Sequence, residues 1–270
     1  MQRKDWIIAL TAGLLIAVAV SFLGLEEFGL VHSVNVKAGE PDEIQKIRDS
    51  MLQSHQNWDS IHIESTTTWF SEGKEESSWE SEVYIEQPSL RGRLELSPAG
   101  KEPSVYWIVD NGEVYESNDE TGESTQKTLP AFVSNGEGLS ILPEHTEDVL
   151  INEDGSETIF RHPFGMLMPS PIADYIFPVG LAQRSGSYEV WGRDSIINRD
   201  VWILDYSWSQ DSSDNSGIIR QRFWVDTATG IILKAVSYAD IGAQQMIEET
   251  IVTSLTLNPS LNENVFELPH

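Results

Sequence analysis

Two short stretches set a serine beside groups that can activate it. Ser71-Glu72-Gly73-Lys74 fits S-x-x-K and Ser213-Asp214-Asn215 fits S-D-N, two of the three elements of the serine β-lactamases. The third element, K-T-G, is missing, and the first match falls in a hairpin turn where that chemistry needs the start of a buried helix. Neither G-x-S-x-G nor G-x-x-x-x-G-K-[ST] occurs. The six histidines (His32, His55, His62, His145, His162 and His270) show no H-x-x-x-H or similar ligand spacing, and His55 and His62, seven apart, straddle a helix-to-strand boundary. The 43 acids single out no carboxylate pair for glycoside hydrolysis. Acidic loops such as Asn118–Glu123 lack the spaced D-x-D-x-D-G ligands of a calcium loop. With no cysteine, disulfides, thiolate metal sites and a lipidated N-terminal Cys are all excluded. The residues therefore predict no catalytic centre, no metal and no cofactor.

What remains is aromatic and apolar, and strands must position it. Pro41, followed by Asp42 and Glu43, suits the first turn of a helix, and Ile44, Ile47, Met51 and Trp58 continue one stripe through Asn57. Ile61, Ile63 and Trp69 then alternate with His62, Glu64, Thr66 and Thr68, a period-two strand with one wet face. Ser71–Lys74 turns the chain and 79–87 returns it. Leu90, Leu94 and Leu96 oppose Arg91, Arg93 and Glu95, with Gly92 interrupting the apolar face as a bend or bulge. Val105–Val109 and Glu113–Ser117 flank Asp110-Asn111-Gly112, a strong hairpin signal. Residues 118–162, rich in Asp, Glu, Ser, Thr and Gly, are expected to form an elaborated insertion. Residues 164–182 are apolar but broken by Pro169, Pro171 and Pro178, so short helical turns crossing a sheet are expected. Tyr188–Arg193 and Val201–Trp208 form a hairpin across Asp194–Asp200. Trp202, Leu204, Tyr206 and Trp208 share one face and Val201 and Ile203 the other, so both faces need cover. Ile218–Val225 and Ile231–Tyr238 flank Asp226-Thr227-Ala228-Thr229-Gly230, a loop with Gly in a left-handed position. A last strand, Met246–Leu257, follows the turn at Asp240–Gly242.

Strand, D-x-x-T-G turn, strand, turn, strand, then Asn258-Pro259, Phe266 and Leu268-Pro269 resembles the C-terminal end of the outer-membrane lipoprotein-sorting (LolA/LolB-like) superfamily, which includes the RseB/MucB-type sensor domains. Gln87-Pro88-Ser89-Leu90-Arg91 followed by V-D-N-G-E-V-Y, and Gly192-Arg193 followed by V-W-I-L-D-Y, resemble two further stretches of that family. The resemblance implies a mainly β (α+β) fold: a strongly curved antiparallel half-barrel with a helical lid over its concave side, where acyl chains are taken up.

A curved sheet covered only by proline-broken turns has difficulty filling its inside. An apolar hollow with few polar groups is the usual form of a lipid site, and each buried CH₂ gains about 0.8 kcal/mol. The candidate lining is Trp69, Leu94, Leu96, Trp107, Trp202, Leu204, Tyr206, Phe223 and Leu233 from the sheet, with Met166, Leu167, Met168, Ile172 and Phe177 from the lid. Other strand tryptophans (Trp79, Trp191, Trp208, Trp224) are read as core.

Location follows from residues 7–25, an uncharged run of nineteen that spans about 30 Å as a helix. Arg3 and Lys4 precede it and Glu26 and Glu27 follow, which orients a single-pass helix with the N-terminus cytoplasmic. Cleavage after Ala17-Val18-Ala19 is the rival, but apolar residues continue to Leu25, favouring an uncleaved anchor. The expected organisation is a membrane anchor over 1–27, a linker over 28–39 and an extracytoplasmic domain over 40–270. A net charge of −26 excludes the basic surface that nucleic-acid binding requires. The expected partners are an acyl chain, lipid or lipoprotein, with a membrane regulatory protein as the alternative if no lipid is bound.

Overall fold

The computed structural model describes residues 41–146, 150–151, 157–169, 171–207 and 218–267. Helix α1 (Pro41–Leu52) begins at Pro41 with Asp42 and Glu43 in its first turn, where they complement the helix dipole, and buries Ile47, Met51 and Leu52. It is shorter than the stripe predicts. A 3₁₀ turn (Ser54–Asn57) follows, and Trp58 is already extended at φ −159°.

The remainder is two meanders. The first runs β1 (Ser60–Ser71), β2 (Lys74–Glu86), β3 (Arg91–Pro98), β4 (Val105–Asp110), β5 (Glu113–Asn118) and β6 (Glu123–Thr128). Two short helices, α2 (Ala131–Ser134) and α3 (Glu137–Ser140), and a separate two-stranded ribbon, β7 (Leu150–Ile151) with β8 (Glu157–Thr158), come next. After the lid segment, the second meander runs β9 (Ser187–Ile196), β10 (Arg199–Ser207), β11 (Arg220–Asp226), β12 (Ile232–Tyr238) and β13 (Met246–Leu257). β1 pairs antiparallel with β13, from Ile61 opposite Leu257 to Trp69 opposite Glu248, which zips the meanders into one open eleven-stranded sheet. Its order is β6-β5-β4-β3-β2-β1-β13-β12-β11-β10-β9, so β6 and β9 are opposite edges. Ten strand spacings put those edges about 48 Å apart along the sheet. The chain between them must cross the sheet.

Turn chemistry sets most of the hairpins. Asn111 and Gly112 (φ 49° and 79°) make the predicted two-residue turn between β4 and β5. Ser71 and Lys74 are the closing pair of another hairpin, with Glu72 and Gly73 at φ 59° and 71° between them, so the S-x-x-K match is a turn. In the D-x-x-T-G loop, Asp226 Oδ2 accepts from the Thr229 amide at 3.0 Å and Gly230 lies at φ 76°. Arg199 grips the same carboxylate with two N–H donors at 3.0 and 2.8 Å, and Asn57 donates to the Thr229 carbonyl at 3.2 Å. The turn thereby docks against the end of α1. Register shifts at Glu64/Ser65, Ile203/Leu204 and Trp224/Val225 are bulges that bend and twist the strands carrying them.

Several expectations change. β9 and β10 extend past the predicted ends and meet at a two-residue turn, Ile197-Asn198, rather than across 194–200; Ile197 takes φ 46° despite its branched side chain. Gly92 sits in a regular ladder opposite Ile85 and Val109, so it is no bulge. Residues 118–128 are not an insertion but the end of β5 and the edge strand β6. The proposed membrane helix at 7–25, the linker, Trp208, Ser213 and Leu268-Pro269 lie outside the described residues. Among those described, no helix is long and apolar enough to cross a membrane.

A Cβ at Gly230 would fall 1.9 Å from the Ser50 carbonyl oxygen, at a φ that side chains avoid. Gly230→Ala is therefore expected to lower unfolding free energy by more than about 1 kcal/mol in urea titrations. An unchanged midpoint would contradict the docking of this turn on α1.

Candidate functional site

The crossing segment forms the lid. His162 to Phe164 leads into a 3₁₀ turn (Gly165–Leu167), then α4 (Ile172–Ile176) and α5 (Val179–Gln183), with Pro169, Pro171 and Pro178 separating the pieces. Proline cannot supply the amide that a continuous helix needs. The lid is short helical turns, as expected.

Beneath it, Ile61 and Ile63 of β1, Val83 and Ile85 of β2, Leu94 of β3 and Trp107 of β4 make an apolar floor that is essentially fully buried. Phe164 meets Trp107 edge-on at 5.7 Å and Phe177 at 6.5 Å, while Phe177 also packs on Trp58 at 5.5 Å. Gly92 is what admits this: a Cβ there would lie 2.9 Å from the rings of both Phe164 and Trp107. A Cβ at Gly165 would likewise lie 3.0 Å from Phe177. The interface between lid and floor is close-packed.

The segment 162–168 closes its backbone hydrogen bonds on itself, Met166 to His162, Leu167 to Phe164 and Met168 to Gly165. Apolar side chains seat it on the sheet. α4 and α5 are held differently, by Ser54 donating to the Ile176 carbonyl at 3.3 Å and Arg48 to the Ala182 carbonyl at 2.9 Å. Beside Pro169, a cleft of about 230 Å³ lies along β4–β6, lined by Val105, Trp107, Ser124 and Thr125 among others.

The predicted lining residues divide into two groups. Leu94, Trp107, Leu233, Met168, Ile172 and Phe177 are buried in one cluster, with Leu96 and Leu167 partly buried against it. Trp202, Leu204, Tyr206 and Phe223 belong to a second cluster under α1 and α5, with Ile47, Met51 and Val179. Tyr206 is further tied down by its hydroxyl, which donates to the Ser185 carbonyl at 2.7 Å. Met166 is 56% exposed and lines neither cluster. Trp69 is half-buried at the polar end of the covered face, where its indole donates to Glu248 Oε2 at 3.1 Å. Sequence reasoning passed over Phe164 and Trp58 as individual lining residues; a bulky ring facing a strand glycine is a signal only once the register is known.

Two buried titratable groups sit at this interface. Glu248, on β13, accepts from Trp69 and from the Tyr175 hydroxyl of α4 at 3.3 Å, so it links sheet to lid. Burial pushes its carboxyl above the usual range, against the two hydrogen bonds that favour the charged form. His162 stacks on Phe177 with ring centroids 4.0 Å apart and lies 5.0 Å from the His55 ring. Burial, and then the nearby His55, push the His162 imidazole down to about 3. Burial also lowers His55. His162 Nε2 and His55 Nδ1 are both buried without a protein partner.

No family model matches this chain, and no curated protein matches it. Among solved structures it is similar to MucB in the Pseudomonas aeruginosa MucA/MucB complex (13% identity, TM-score 0.46), over 84% of this chain and 61% of that one. It is also similar to LprF from Mycobacterium bovis (12% identity, TM-score 0.42, covering 83% and 97%). A third is a putative outer-membrane lipoprotein-sorting protein domain from Vibrio parahaemolyticus (11% identity, TM-score 0.32, covering 83% and 95%). The chain spans less than two thirds of the MucB chains it matches.

The two buried groups have opposite pH signatures. His162 is depressed in the folded state, so its contribution is complete above its unfolded value of 6.5 and falls as pH drops toward about 3. Between pH 6.5 and 5 that loss is about 2 kcal/mol, and His162→Gln is expected to remove this slope from denaturation curves. Glu248 is raised, so its contribution is complete below its unfolded 4.5 and is lost as pH rises through the folded value. Melting temperatures should show Glu248→Gln more favourable relative to wild type at pH 8 than at pH 4; the reverse order would contradict the burial described.

Proposed function

We propose that this chain is a membrane-tethered, extracytoplasmic, non-catalytic binding protein that takes up an acyl chain of a lipid or lipidated protein between sheet and lid. The observation that carries this reading is the seating of 162–168. Among the described residues its backbone bonds are internal, and Phe164, Leu167 and Met168 pack on the cluster that contains Ile63, Val83, Leu94 and Trp107. An alkyl chain presents the same apolar chemistry to that floor and needs no hydrogen-bond partner there.

Magnitudes favour the exchange. Exposing Phe164, Leu167 and Met168 costs about 1.5–3 kcal/mol each. A long acyl chain returns about 0.8 kcal/mol per CH₂, about 11 kcal/mol for fourteen. The cleft beside Pro169 reaches Trp107 and supplies an entry at the lid's end. The uncharged run at 7–25 supplies the tether and places the domain where acylated ligands are.

The second reading, a regulatory module that binds a membrane protein and no lipid, is favoured by one observation: the close packing at Gly92 and Gly165, which leaves no space for a methyl group. The two readings differ in the state of the lid during binding.

Lipid extraction and mass spectrometry of detergent-purified protein, with uptake of a fluorescent fatty acid, decides between them. Phe164→Ala is expected to cost about 3–5 kcal/mol of stability and to raise fatty-acid uptake several-fold by opening the lid. No co-purifying lipid, and no uptake by either protein, would remove the acyl-chain reading.

A further inference from the structure

The face of the sheet turned away from the lid carries a second candidate site. Alternation along β1 puts His62 and Glu64 on that face, while Ile61 and Ile63 point to the lid. Register with β2 then sets Glu82 directly opposite Glu64, and Tyr84 opposite His62. His62 Nε2 lies 2.9 Å from Glu82 Oε1 and 3.8 Å from Glu64 Oε1, and the three donor atoms are all within 4.8 Å of one another.

We propose that His62, Glu64 and Glu82 bind a divalent transition-metal ion, Zn²⁺ in the first instance. Zinc bonds of about 2.0–2.2 Å place tetrahedral donors about 3.3–3.5 Å apart, so these three need only small rotamer changes to converge on one ion. One imidazole with two carboxylates suits zinc and its transition-metal neighbours better than magnesium or calcium, which prefer all-oxygen shells.

Three further features fit an ion here. Glu64, Glu82 and Glu95 stand in line on β1, β2 and β3, each directly opposite the next. Like charges in directly opposed positions are destabilising. Arg93 answers Glu95, which leaves Glu64 and Glu82 with His62 between them. Tyr84 stacks flat on the His62 ring, centroids 4.2 Å apart at 2°, and its hydroxyl donates to Glu82 Oε1. One residue thus orients two ligands, as supporting groups of metal sites do. Finally, a depression of about 500 Å³ lies over Glu64, Glu80, Glu82 and Glu95, bounded by Pro103 and Thr253. It gives an ion access and leaves room for a water or a ligand group in the remaining coordination position.

The test is calorimetric titration of the full chain in detergent with ZnCl₂, in excess Mg²⁺ and Ca²⁺, with Co²⁺ absorption as a second readout of coordination. About one Zn²⁺ per chain is expected. His62→Ala and Glu82→Gln are expected to weaken binding by at least about 10-fold, and Tyr84→Phe, which keeps the stacked ring but loses the hydroxyl, by about 10-fold. Glu116→Gln, a surface acid elsewhere, should change nothing. Zinc should raise the melting temperature of wild type but not of His62→Ala; His62→Gln takes its place should the alanine variant not fold. Three outcomes each overturn the site: no saturable binding, binding that survives both His62 variants, or equal displacement by Ca²⁺, which would mark adsorption to a chain of net charge −26.

Discussion

The ladder between β1 and β13 is the constraint from which the rest of the architecture follows. It joins the first strand of one meander to the last strand of the other, so the two meanders grow outward from a shared seam. β6 and β9 thereby become opposite edges, and the chain connecting them must span the sheet. A connection of that length carries backbone polar groups over an apolar face. It satisfies them in a 3₁₀ turn and two five-residue helices, and offers Phe164, Met168, Ile172 and Phe177 to the floor. The lid is a topological necessity before it is a functional one.

Topology also explains why the two apolar clusters differ in kind. Over Trp202, Leu204, Tyr206 and Phe223, α5 is tied to α1 by the Arg48 hydrogen bond to Ala182, and Tyr206 bonds the Ser185 carbonyl, so directed bonds add to packing. Over β1–β4, the backbone bonds of the loop 162–168 are internal among the described residues, and its apolar side chains pack on the floor. Dispersion and hydrophobic burial are non-directional, so that cluster is fixed by shape more than by directed bonds. Glu248 and His162 stand along the lid as groups whose charged forms are disfavoured there, and they make its seating depend on pH from both directions.

Local chemistry was legible. The turns at Asp110–Gly112 and Asp226–Gly230, the strand Met246–Leu257 and the breaks at Pro169, Pro171 and Pro178 are each dictated by neighbours in the chain. What escaped depends on register. Gly92 reads alone as a flaw in a strand, and becomes a socket only when Phe164 is brought over it. Ile197 at a positive φ defies its own propensity, because the pairing of β9 with β10 decides the turn. Met166 shares the lid's composition, but the 3₁₀ turn directs it outward. The convergence of His62 with Glu82 has no spacing signature, since the residues lie on different strands.

The seam has a kinetic side as well. Ile61 must wait for Leu257, nearly the whole domain later in chain order, and pairings of such separation form slowly because loop closure precedes any reward. As the chain is made, the first meander emerges with the outer flank of β1 unpaired and its apolar floor uncovered. Such a strand invites wrong partners. The polar side chains of β6 blunt the outer rim throughout this interval, leaving the β1 flank as the open pairing edge until β13 arrives.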